Sequence, residues 1–140
     1  MASIQTQTTS FKLECWQAVH NLTTDTLKIA LYTSDALLDQ ATTAYSAVAE
    51  VVAAGYTAGG QVLTGCVLGS SGATAYFNCA SPTWNAAITA RYALIYNVSK
   101  SNKSVAVLDF GGDKTSTTLF TVTMPANTAT SALLRSSNQG

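Results

Sequence analysis

Apolar and polar residues alternate with a period of two along much of this chain, which is the pattern of half-buried β-strands. The longest run is Ala87 to Tyr96. Ile88, Ala90, Tyr92, Leu94 and Tyr96 fall on one face of it, and Thr89, Arg91, Ala93 and Ile95 on the other. The turn Asn97 to Lys103 (NVSKSNK) links this run to Ser104 to Phe110 (SVAVLDF), which predicts a hairpin at the centre of a sheet. Thr26 to Thr33 sets Leu27, Ile29 and Leu31 against Lys28, Ala30 and Tyr32. Thr117 to Met124 sets Phe120, Val122 and Met124 against Leu119, Thr121 and Thr123. Gln61 to Leu68, Thr74 to Cys79 and Ser131 to Arg135 read as further strands. Turn signals at Gly55 to Gly60, Gly69 to Gly72 and Gly111 to Lys114 punctuate them, and Pro82 breaks or edges the sheet. Ser34 to Asp39 has room for one helical turn, and Tyr45 to Ala54, rich in Ala and Val, fits either strand or helix.

One helix is expected near the start. Ser10 is placed to cap Phe11 to Val19, with Phe11, Cys15, Trp16 and Val19 sharing a face and Asn21 ending it. Residues 1–10 read as an extended, uncharged arm. Ile4, Gln5, Thr6, Gln7 and Thr8 suit addition as a strand to a neighbour's sheet edge, so the arm is expected to order in an assembly and not alone. The prediction is an all-β sandwich or jelly roll of about seven to eight strands with a short N-terminal helix. Residues 11–135 would form its single domain, and residues 136–140 a frayed tail.

Composition sharpens this picture. The chain has 140 residues, 7 basic and 7 acidic, so its net charge is zero and only 10% of it is charged. No basic stripe invites nucleic acid. No apolar run has the length of a membrane span, and Met1 to Ser10 lacks the pattern of a secretory signal. There are 14 serines, 21 threonines and 22 alanines. A neutral, hydroxyl-rich β domain suits life in a packed assembly, since a free monomer usually resists aggregation with more charge. The cysteines, Cys15, Cys66 and Cys79, are odd in number and lack metal-site spacing. They are expected to be buried free thiols, with a Cys66–Cys79 bridge as the alternative.

Candidate chemistry is sparse. The single histidine, His20, falls at the predicted helix end, where a capping or surface role suits it. Cys15 is five residues away and points elsewhere on a helix. Asp35 and Asp39 stand four apart in a turn, and Asp109 and Asp113 flank Gly111-Gly112 as turn residues. No phosphate-binding loop, nucleophile elbow or dinucleotide fingerprint is present. The expectation is no enzyme, no cofactor and no metal. Trp84, Tyr92 and Tyr96 are candidates for assembly contacts, or for a glycan-stacking platform in a receptor-binding module.

Three stretches carry a resemblance. They are Phe11-Lys12-Leu13-Glu14 with His20-Asn21 and Asp25 to Ser34; Thr42-Thr43-Ala44-Tyr45 with Gly55 to Gly60; and Ala90 to Asn97 with Ser99 to Lys103 and Ala106 to Gly111. Together they resemble a family of small structural proteins of tailed-phage particles. Ala47 to Ala54 is more alanine-rich than that family's pattern. The resemblance implies a virion location after synthesis in the host cytoplasm. It implies a capsid decoration (cement) role, with the major capsid protein or other virion proteins as partners and self-association as a dimer or trimer. It supplies no catalytic residues. A neck, tail or baseplate role is the nearest rival.

Overall fold

A computed structural model describes residues 4–137. Its elements in chain order are β1 (Ile4–Gln7), α1 (Thr9–Trp16), β2 (Leu27–Tyr32), β3 (Gln61–Val62), β4 (Val67–Ser71), β5 (Thr74–Asn78), β6 (Thr83–Trp84), β7 (Thr89–Asn97), β8 (Lys103–Thr115), β9 (Phe120–Thr121) and β10 (Leu134–Ser136). A 3-10 turn at Val98–Lys100 lies between β7 and β8. The main sheet has the order β1-β8-β7-β2-β3, and smaller sheets have the orders β10-β5-β4 and β6-β9. Every pairing is antiparallel. The protein is an all-β, sandwich-like fold with one short helix near its start.

Two apolar layers hold it together, one on each face of the main sheet. On the inner face, Ile29 and Leu31 of β2, Ala93 and Ile95 of β7, and Leu108 and Phe110 of β8 meet Phe77, Trp84, Phe120 and Leu134 from the smaller sheets. On the outer face, Ala30, Tyr32, Leu94, Tyr96 and Val107 are covered by Ala36, Leu38, Tyr45 and Ala49. These last residues belong to a strap, residues 33–60, that crosses the sheet without regular structure apart from single bridges such as Tyr32↔Glu50. Gly60 in the strap has φ +78°, and a Cβ there would collide with the Ile29 carbonyl, so the strap can lie this close to β2 only on glycine.

β7 lies at the centre of the sheet, between β8 and β2, as the long alternation predicted. A register shift between Ala90 and Tyr92 changes which residues share a face. Ile88 and Ala90 join Ala93 and Ile95 in the inner layer, while Leu94 and Tyr96 face the strap. A bulge adds one residue to one strand, and one residue inverts a period of two.

Several sequence expectations are corrected. α1 is capped by Thr8, whose side chain accepts from the Phe11 N–H, not by Ser10, and it ends at Trp16 rather than Val19. Only Phe11 of the proposed helix face is buried; Trp16 is 90% exposed. Ser34 to Asp39 forms turns without a helix, and Gln61 to Leu68 is divided between β3 and β4. β8 runs on through the expected turn at Gly111 to Lys114, where Gly111 adopts φ +81°. Cys66 and Cys79 are not free thiols: a disulfide joins them, and Cys66 is exposed. The odd count concealed one pair and one free cysteine, Cys15, which is exposed.

The expected arm is also placed differently. Ile4–Gln7 pairs with Ala106 to Asp109 of its own chain, forming the edge of the main sheet. Residues 1–3 of that arm, and 138–140 of the expected tail, lie outside the described residues. Ser136, expected to begin the tail, closes β10.

Candidate functional site

Apart from the buried hydroxyls of Thr8 and Ser104 and the amide of Asn78, the polar side chains held in the interior fall into two clusters. The first surrounds His20, whose side chain is completely shielded from solvent. Its Nε2 lies 2.9 Å from Glu14 Oε1, and its ring packs 4.9 Å from that of Phe11. Asn97 Nδ2 donates to His20 Nδ1 at 2.9 Å and to Asp25 Oδ2 at 2.8 Å. Nδ1 is thereby the acceptor, and Nε2 carries the proton shared with Glu14. Lys100 and Lys103 approach the outer carboxylate oxygens of Asp25 and Glu14 at 3.3 and 3.8 Å. Asn97 Oδ1 is buried without a partner. Burial alone would raise the Asp25 pKa, but the Asn21 N–H, Asn97 and Lys100 outweigh it and hold the carboxyl below its usual value. This cluster fastens α1 and the 20–26 loop to the end of β7.

His20 was therefore misplaced by the sequence, which assigned it to a cap or the surface. Its neighbour in sequence, Cys15, is not its partner. Partial desolvation, followed by the Glu14 charge, pushes the Cys15 thiol above its ordinary pKa, the opposite of an activated nucleophile.

The second cluster is centred on Glu50, only 8% exposed. Its Oε1 accepts from the Tyr45 hydroxyl at 2.6 Å, and its Oε2 from the Tyr56 hydroxyl at 2.6 Å and the Gly59 N–H at 2.7 Å. Tyr56 in turn accepts from the Leu31 N–H, Tyr96 donates to the Gly59 carbonyl, and Tyr45 stacks on Tyr96. Burial first, and Glu50 next, push the Tyr45 and Tyr56 phenols far above their ordinary value. Each donor is matched by an acceptor, so the cluster ties the strap to β2 and β7. Sequence reasoning missed it, because Glu50 lies in the segment Tyr45 to Ala54, whose pattern fits either strand or helix and gives no sign of these partners.

The predicted contact residues divide in the same inward direction. The Gln5 side chain donates to the carbonyls of Ser131 and Ala132, and that of Gln7 to the carbonyl of Arg135. Thr8 is fully buried against Ser104. Thr6 pairs with Val107, and Ile4 with Asp109. Trp84, 6% exposed, lies in the inner layer between Tyr56 and Phe120. Tyr96, 2% exposed, lies in the outer layer with the half-buried Tyr92 against it. The three aromatics are thus divided between opposite faces of the sheet and form no common platform.

Beside a few exposed charges such as Lys12, Asp35, Asp39, Asp113 and Arg135, the surface keeps large apolar side chains. Trp16, Leu37, Val48 and Val52 are each at least 79% exposed. A cavity of about 160 Å³ opens between α1, β4, β5 and β10, walled by Phe11, Cys15, Leu68, Phe77 and Leu134. No group of metal-ligating side chains occurs among the described residues, and no helix among them is long and apolar enough to cross a membrane. No protein family, curated protein or solved structure matches the chain.

Proposed function

We propose that this protein is a structural component of a tailed-phage particle, and most specifically a capsid decoration protein that braces neighbouring subunits of the outer shell. The observation that carries this reading is the division of labour between interior and surface. Most interior polar side chains fasten α1 and the strap, while the surface presents several large apolar side chains with little charge. The apolar hollow between α1, β4, β5 and β10, together with the scarcity of charge, suits standing contact with protein. The family resemblance supplies the setting. A protein that binds only the assembled lattice stabilises it by mass action, and many equivalent weak contacts sum by multivalency.

A neck, tail or baseplate position keeps the same chemistry at a different place on the particle. Copy number separates the two, because a decoration protein follows the shell lattice and a neck or tail part follows a small ring. The glycan-binding reading draws no support from Trp84, Tyr92 and Tyr96, which are held in separate layers.

A further inference from the structure

α1 and β4 flank the apolar hollow, and each carries a further unsatisfied feature. Trp16, next in sequence to the hollow-lining Cys15, is 90% exposed and so lies outside its own chain's hollow. β4 is the free edge of its sheet, and its sequence, Val67 to Ser71, contains no charge and no proline to discourage pairing. Leu68 belongs to both features: it lines the hollow and is 57% exposed.

We propose that a second copy of this chain covers this face, with the Trp16 of each copy seated in the hollow of the other. Size argues for the occupant. A cavity of about 150 Å³ accepts a benzene ring, whereas sites for drug-sized ligands begin at roughly 300 Å³. At about 160 Å³, this hollow takes one aromatic ring, and being open it leaves room for the rest of an indole. Charge argues against a partner of other chemistry. Arg135 is the one charged residue in the lining, and its guanidinium already donates to the Thr130 carbonyl. Symmetry completes the argument. A two-fold axis sets one patch against itself, so a knob that neighbours a hole can satisfy the partner's hole while its own is filled in return. Burial of a tryptophan removes about 150–250 Å² from water, and tryptophan is among the residues that dominate interface energetics.

The inference goes beyond the decoration reading, because it concerns the free protein. Failure of dimerisation leaves decoration untouched, and absence from the particle leaves the dimer untouched. The test is sedimentation of the full chain over a concentration series. The wild type should show a monomer–dimer equilibrium. Trp16→Ser and Leu68→Ser should each weaken it by at least about tenfold. Val52→Ser, at a position 98% exposed and outside the hollow, should leave it unchanged. Thermal melting should show all three variants folded, since these side chains are largely in solvent. As a second readout, the reaction of Cys15 with a maleimide should slow as wild-type concentration rises, and not in Trp16→Ser. A wild type that stays monomeric throughout, or a dimer indifferent to Trp16→Ser, overturns the proposal.

Discussion

Glu50 and Asp25 show how single carboxylates organise long irregular segments. Replacing Glu50 with Ala leaves the Tyr45 and Tyr56 hydroxyls and the Gly59 N–H without their acceptor. Each orphaned buried donor costs about 1–3 kcal/mol, with partial relief where water enters. The expected loss on Glu50→Ala is therefore about 2–4 kcal/mol, read from urea denaturation. Asp25 gives a pH dependence. Its side chain is 5% exposed and its pKa is depressed in the folded protein. A depressed carboxyl stabilises the fold above its unfolded pKa of about 3.9, and that contribution is lost as pH falls through the folded value. The urea midpoint should fall below about pH 4, and Asp25→Asn should flatten that part of the profile. Some slope should remain, because Asp109 is also held low, chiefly by its hydrogen bond from Arg91. Neither role was legible in the sequence. The donors to Glu50 come from Tyr45, Tyr56 and Gly59, and the partners of His20 from Glu14 and Asn97; no local spacing announces such groupings.

At the level of elements, strands in the centre of the sheet were legible and those at its margins were not. β2 follows its alternation, and β7 follows it up to the register shift between Ala90 and Tyr92, because hydrogen-bonded neighbours hold both edges of each strand. The Thr117 to Met124 pattern does bury Phe120, Val122 and Met124, yet only Phe120–Thr121 pairs as a strand. Burial sets the alternation; ladder partners set the strand. β1 was expected to add to a neighbour's sheet edge, and its place in its own sheet was not legible. It shows no alternation of its own, and its order comes from the edge of β8 and from the side-chain bonds of Gln5, Gln7 and Thr8. Deleting residues 2–9 should therefore lower stability by more than about 2 kcal/mol, since it removes a ladder and the α1 cap together. A truncated chain with the denaturation midpoint of the full one would mean that β1 is dispensable. The disulfide acts on a different element, the β4–β5 hairpin, whose ends it joins across a separation of 13 residues. Closing a loop of about this length restricts the unfolded chain by about 3 kcal/mol. Reductant should thus lower the melting temperature by roughly 5–10 °C while unfolding stays cooperative, because the two apolar layers do not depend on the bridge.

For the whole molecule, the period-two pattern and the turn residues were enough to predict an all-β sandwich, because apolar burial on a pleated sheet is what that pattern encodes. They were silent on the strap. Ala47 to Ala54 has no period that distinguishes strand from helix, and its place on the outer face is set by Tyr45 and Glu50. The surface was legible only as a scarcity of charge. Which apolar side chains are left in solvent depends on how α1 and the strap pack on the sheet, which no single element reveals. The proposed place of this protein on a phage head rests on that surface and on the family resemblance. Copy number in purified particles, by quantitative mass spectrometry against the major capsid protein, tests this most directly. The account predicts a fixed ratio to the capsid protein and on the order of hundreds of copies per head, as a lattice of repeated sites requires. A count matching a single small ring would move the protein to the neck or tail, and its absence from purified particles would contradict the account.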